Sequence, residues 1–171
     1  MLEVSIDHAE LGRLADEFAA TPVQVELSIR RANQRAGRAL KTMVGRELKD
    51  ELDLRTMKYI RRRLRDATRG GVSIWVGLNS LPIVAFKGRP QQTSAGVKVG
   101  EQLAEGAFLA MGGAWWRDGP DRFPISTATV PISEAGKAVL EAKVWPRMKE
   151  VFVDTFVQEL RARTLFGVGA S

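Results

Sequence analysis

The chain has 171 residues, 44% hydrophobic and 27% charged, the size and balance of one soluble globular domain. It contains no cysteine, which excludes disulfides and thiolate metal sites. No apolar run approaches the roughly 20 residues of a membrane span, and the amino-terminal stretch has neither a basic leader nor an apolar core. The net charge of +6 hides an asymmetry: Met1–Ile29 has one arginine against six acids, whereas Arg30–Arg69 has fourteen basic residues against five acids. Such a distribution fits acidic and basic surfaces that meet across copies, a basic face near nucleic acid, or solvated faces with local ion pairs.

In chain order, Leu2–Ile6 alternates apolar and polar residues and predicts a short edge strand, followed by a short helix over Leu11–Phe18. Thr21-Pro22-Val23-Gln24 has the form of a helix start, with Thr21 as cap, Pro22 in the first turn and Gln24 closing a capping box. Val25, Ile29, Ala32, Ala36, Leu40 and Met43 then form one apolar stripe of a helix reaching about Leu48. Arg30, Arg31, Arg35, Arg38, Lys41 and Arg46 mostly avoid that stripe. Gly37 and Gly45 on its flank would permit close approach of another element. A short helix is expected over Leu54–Ile60, and Arg61–Ala67 is expected to extend it or to form a charged edge strand.

Val72–Val76 is rich in β-branched and aromatic residues and predicts a strand with Trp75 in the core. Leu81–Phe86 predicts another, with Pro82 confined to its start or an edge. Lys87–Gly106 is expected as a flexible, protruding flap with a brief hairpin at Val97–Val99, and Ala107–Met111 as a buried strand. Trp115-Trp116 follows Gly112-Gly113 and is expected on a loop. A last helix runs from Ser133 to about Phe166, with Pro146 kinking or splitting it. Its broad apolar face is Ala135, Val139, Ala142, Trp145, Met148, Phe152, Phe156 and Leu160. The tail Gly167–Ser171 is expected to be mobile. The sum is a single α+β domain: a small antiparallel or mixed sheet, a long helix in the amino-terminal half, a long carboxy-terminal helix and a protruding β-arm.

The chemistry-bearing residues point away from catalysis. His8 is the only histidine and, beside Asp7 and Glu10, fits an exposed surface side chain better than a metal ligand. Asp118 and Asp121 flank Gly119-Pro120, which is turn chemistry. Neither of the glycine-rich phosphate loops is present. No residue is assigned as catalytic or metal-binding, and no cofactor is expected. Arg61, Arg62, Arg63 and Arg65 can hold phosphate bidentately. Adjacent Trp115 and Trp116 fit an anchored protein contact better than base stacking. These six residues are the candidate subunit interface. Arg35, Arg38 and Lys41 are the candidates for lying near DNA.

Several segments appear in a characteristic order. These are the basic helix and turn near Leu54–Leu64, Val72–Val76, Leu81–Phe86, Gly96–Val99, Gly106–Ala110, Arg122-Phe123-Pro124-Ile125 and Val130-Pro131. Together they resemble the minor tail protein Z family of tailed bacteriophages and prophages, over roughly Pro22 to Leu160. Where that family has a basic, arginine-containing lead into the Arg-Phe-Pro-Ile segment, this chain has Trp115–Pro120. The resemblance implies a structural virion protein of the tail or neck, assembled in the host cytoplasm, that completes the tail and joins it to the head. It implies a ring, commonly sixfold, whose partners are copies of itself, the tail terminator, connector and tail-tube proteins, and the genomic DNA passing the channel, with no membrane. A ring requires unlike patches that complement each other between neighbours, which the acidic and basic regions could supply. A basic nucleic-acid-binding module is the alternative.

Overall fold

A computed structural model of the chain describes residues 2–3, 8–66 and 73–168. The fold is α+β, with long helices and small sheets whose strand pairs, among the described residues, are all antiparallel. Two compact units are present. One comprises the described parts of Met1–Val44, Leu64–Val76 and Glu141–Ser171; the other comprises Gly45–Arg63 and Gly77–Leu140.

In the first unit, α1 (His8–Glu17) precedes α2 (Pro22–Glu51), which contributes its residues through Val44. The capping box forms as expected. Thr21 N donates to Gln24 Oε1 at 2.9 Å, and Gln24 N donates to Thr21 Oγ1 at 3.3 Å. Ala32, Ala36, Leu40 and Val44 are fully buried along one face of α2. Gly37 borders open space, so no neighbour there requires a small residue.

A three-stranded sheet places β3 (Ser73–Val76) between β1 (Leu2–Glu3) and β2 (Leu64–Asp66). The basic run therefore divides: Arg61 ends a helix and Leu64–Asp66 is an edge strand. The rest of the first expected strand, Val4–Ile6, and Val72 lie outside the described residues. Trp75 is not in the core. Alternation along β3 buries Ile74 and turns Trp75 outward, 44% exposed, where its cross-strand partner Arg65 lies over the ring at 5.8 Å.

The carboxy-terminal helix runs without a break from Ser133 to Thr164, but its winding changes just before the proline. α4 (Ser133–Val139) leads into a π-helical segment (Leu140–Val144), and α5 (Trp145–Thr164) starts with Pro146 in its first turn, where a missing N–H is tolerated. The π turn also shifts the apolar face. Gly136, Leu140, Val144, Met148, Phe152, Phe156 and Leu160 are buried, whereas Ala135, Ala142 and Trp145 are exposed. Four residues of pure α-helix rotate about 400°, so a strict spacing of four drifts around the surface. The wider π turn winds less per residue and offsets part of that drift.

Within the first unit, Glu10 pairs with Lys149 at 2.7 Å, and Arg161 lies over Phe18 at 5.7 Å. Early residues of α1 thus meet early residues of α5, and late meet late, so the two helices run in the same sense. Phe152 and Phe156 stack at 6.3 Å between centroids in the core. The tail is described only to Val168; Leu165, Phe166 and Val168 are all exposed.

The second unit begins with the end of α2. Leu54 is fully buried and bridges Phe86 in place of starting a helix, and α3 is only the turn Lys58–Arg61. Leu81–Phe86 is a strand for two residues only: β4 (Leu81–Pro82) pairs with β11 (Thr129–Val130), and Ile83–Ala85 is a 3-10 turn. Lys87–Gly106 is not a loose flap. It forms a meander of β5 (Gln91–Gln92), β6 (Gly96–Val99) and β7 (Gln102–Glu105), with Val97 and Val99 fully buried. β9 (Gly113–Arg117) lies between β8 (Phe108–Ala110) and β10 (Ile125–Thr127). The expected buried strand is partly exposed: Leu109 is open to solvent, and Met111 stands 78% exposed at the β8–β9 turn. Backbone bonds from Ala128 N to Ala114 O and from Ile83 N to Ala128 O, each 2.9 Å, tie these short strands together.

Candidate functional site

The sequence candidates separate by what each side chain does in the fold. In the second unit, Arg61 and Arg62 close α3, and their side chains are exposed with no hydrogen-bond or ion-pair partner among the described residues. Arg55 and Lys58, also exposed and unpartnered there, make this short segment a cluster of four free cations. Arg63 does not belong with them. It is half-buried and donates through Nη1 to the Asn79 carbonyl and through Nη2 to the Ser80 carbonyl at 2.9 Å. Burial also pushes its pKa below the ordinary arginine value. Arg63 is therefore a staple for the 77–80 segment, and Arg65 lies in the first unit against Trp75.

Trp115 and Trp116 lie on a strand, not on a loop. Both are half-buried and their indole N–H groups are used within the chain: Trp115 Nε1 donates to Ala110 O at 2.8 Å and Trp116 Nε1 to Glu105 O at 2.9 Å. The large apolar side chains left open nearby in sequence are Leu109, Met111 and Phe123, the last 63% exposed beneath Arg122 at 5.7 Å. Sequence reasoning favoured the tryptophans because adjacent aromatics are conspicuous. Strand pairing uses them as structure and leaves the flanking residues outside.

In the first unit, Arg35 is committed. Its Nη1 meets Glu159 Oε1 at 2.6 Å and its Nη2 donates to Gln158 Oε1 at 3.3 Å. Lys41 is half-buried and also engaged within the chain. Arg38, by contrast, is exposed and, with Arg30 and Arg31, has no partner among the described residues.

Glu159 is one of two buried charges that sequence reasoning missed. Glu159 and Arg163 are each 8% exposed; Arg163 Nη1 reaches Glu159 Oε2 at 2.7 Å and Glu159 O at 3.0 Å. Burial alone would raise the Glu159 pKa, but hydrogen bonds from Arg163 and Arg35 outweigh it and hold the carboxyl below its ordinary value. The i,i+4 spacing was visible in the sequence; that α2 covers it was not.

Asp118 and Asp121 are exposed turn residues, and Ser126 Oγ donates to Asp118 Oδ1 at 2.6 Å. Among the described residues no three His, Cys, Asp or Glu side chains converge as a metal site, and no helix is long and apolar enough to cross a membrane. Asp7 lies outside the described residues. A cleft of about 330 Å³ in the second unit has Leu52, Phe86, Val99 and Ile132 in its wall, with Lys87 Nζ and Asp53 Oδ1 paired at 2.6 Å on its rim. Comparison with protein-family models, curated proteins and solved structures returns no match to the chain.

Proposed function

We propose that the protein is a structural component of the particle of a tailed bacteriophage or prophage. In this role it completes the tail and joins it to the head as one subunit of a ring around the DNA channel. The observation that carries this proposal is the surface of the second unit. Met111 and Phe123 stand open on this unit, and the side chains of Arg61 and Arg62 are exposed with no partner among the described residues. Uncovered large apolar side chains and free charges on one unit are the makings of a protein contact. The family resemblance over Pro22 to Leu160 supplies the kind of assembly. Asp16, Glu17 and Glu26, exposed and without partners among the described residues, supply the acidic surface that Arg61 and Arg62 would meet on a neighbouring copy.

The charge-reversed variant Arg61→Glu/Arg62→Glu tests this role. Reversal at each site should cost about 2 kcal/mol or more at the contact, weakening self-association by more than ~100-fold while the fold is retained. Sedimentation equilibrium reads the association, and complementation of a deletion in an induced lysogen reads the assembly. Unchanged association together with a wild-type titre counts against the proposal.

A second reading, a nucleic-acid-binding module, is favoured by Arg30, Arg31 and Arg38, which are exposed with no partner among the described residues. Steeply salt-dependent duplex binding by the isolated protein distinguishes it.

A further inference from the structure

A concave, polar space in the second unit is lined by Gly88, Arg89, Gln91, Lys98 and Gly100. Its volume, about 310 Å³, is at the lower end of small-molecule sites, roughly 300–1,000 Å³. Its shape comes from a close approach of two backbone segments. A Cβ on Gly88 would lie 2.7 Å from Gly100 N, and a Cβ on Gly100 would lie 2.6 Å from Lys87 O. Both glycines have positive φ, +120° and +57°, so the backbone here is bare for steric and conformational reasons alike. Gly100 is the first of two residues between the paired Val99 and Gln102, where a tight hairpin turn calls for glycine.

The electrostatics of this space are one-sided. Asp53 holds Lys87 twice, by its carbonyl accepting from Lys87 N at 2.7 Å and by its carboxylate on Nζ at 2.6 Å. The hydrogen bond to Asp53 raises the Lys87 pKa, and the two charges are spent on each other. Arg89 and Lys98 are exposed and have no partner among the described residues, and no acid lines the space. Gln91 adds an amide donor. Two free cations and an amide around bare backbone suit the chemistry of a tetrahedral oxyanion, with a guanidinium such as that of Arg89 able to grip two oxygens at once.

We propose that Arg89, Lys98 and Gln91, set around the Gly88–Gly100 approach, form a binding site for a phosphate group such as the nucleic-acid backbone carries. This goes beyond the particle role, and it gives the nucleic-acid reading a site separate from Arg30, Arg31 and Arg38. Absence of the protein from particles would leave the site standing.

The test uses the full-length, isotope-labelled protein and two probes, inorganic phosphate and a short DNA duplex. The amide resonances of Gly88 and Gly100 should shift with either probe. Duplex affinity, read by fluorescence anisotropy, should fall about tenfold or more in Arg89→Gln/Lys98→Gln, with the salt dependence shallower by roughly 1–2 units. In Arg30→Gln/Arg31→Gln/Arg38→Gln the Gly88 and Gly100 shifts should persist. Shifts with phosphate but not with the duplex would support the site and identify its ligand as a small phosphate-bearing molecule. If neither probe moves those glycines, or if the Arg89/Lys98 variant binds both as the parent does, the proposal is overturned.

Discussion

Gly96→Ala is expected to destabilise the protein by about 3–5 kcal/mol. Gly96 begins β6 at φ +148°, and a Cβ there would overlap the carbonyl oxygen of Ala104 and lie 2.9 Å from Gly106 N. Both obstacles are backbone, one in β7 and one just after it, so no side-chain rotation relieves them. The Gly96 carbonyl is also a hub, accepting from Thr93 N at 2.7 Å, Thr93 Oγ1 at 2.9 Å and Gln92 Nε2 at 3.2 Å. Gln92 in turn accepts from Leu109 N at 2.9 Å, so the disturbance should spread from the meander to β8. Gly106→Ala is the control. Its φ is +68° but nothing lies within 4 Å of the added methyl, and only the backbone penalty of about 1 kcal/mol applies. Urea midpoints of the two variants check the difference. Equal, small shifts would mean that the 93–96 turn is not held as described.

Glu159→Gln is expected to cost about 3 kcal/mol at neutral pH, lowering the melting temperature by roughly 6–12 °C for a chain of this length. The carboxylate is buried against Arg163, and its removal leaves a buried guanidinium without its counter-charge. Arg35 contributes less, because its side chain is 53% exposed and partly screened by solvent. The pH dependence follows from the lowered pKa of Glu159. Its stabilisation is complete above the unfolded carboxylate value, about 4.3, and disappears as pH falls through the lower folded value. The gap between parent and Gln variant should therefore be widest near neutrality and close on acidification. Arg163 Nε has no hydrogen-bond partner among the described residues, so replacing both charges together, Glu159→Leu with Arg163→Met, should recover most of the loss. A gap that stays constant from neutral to acid pH would contradict the assigned role of Glu159.

The parts of this fold that were legible in the sequence are those governed by local rules. Thr21, Pro22 and Gln24 determine the start of α2 through their own side chains, and Pro146 falls in the first turn of α5, where its missing donor is tolerated. The misread parts depend on partners far along the chain. Lys87–Gly106 has the composition of a loop, yet Val97 and Val99 find a core that only the folded meander supplies. Trp75 has the composition of a core residue, but alternation along β3 commits Ile74 to the core and turns Trp75 outward, opposite Arg65. The apolar face of the last helix follows α-helical spacing in the sequence, whereas the π turn at Leu140–Val144 places it about one residue further along ahead of Met148.

The same division holds for the candidate surfaces. That Arg61–Arg65 is basic is a matter of composition, but which arginines are free is decided in three dimensions. The Asn79 and Ser80 carbonyls take Arg63, Trp75 takes Arg65, and Glu159 takes Arg35. The phosphate cradle was invisible for a similar reason. Gly88 and Gly100 are twelve residues apart and acquire meaning only when the β6–β7 turn brings their backbones together.

The proposed role in a phage particle is tested most directly by quantitative mass spectrometry of density-purified particles released by the strain that encodes this chain. The protein should be present at a small, fixed number of copies, about six per particle if one closed ring is built. Infectious particles that contain none of it would contradict the account.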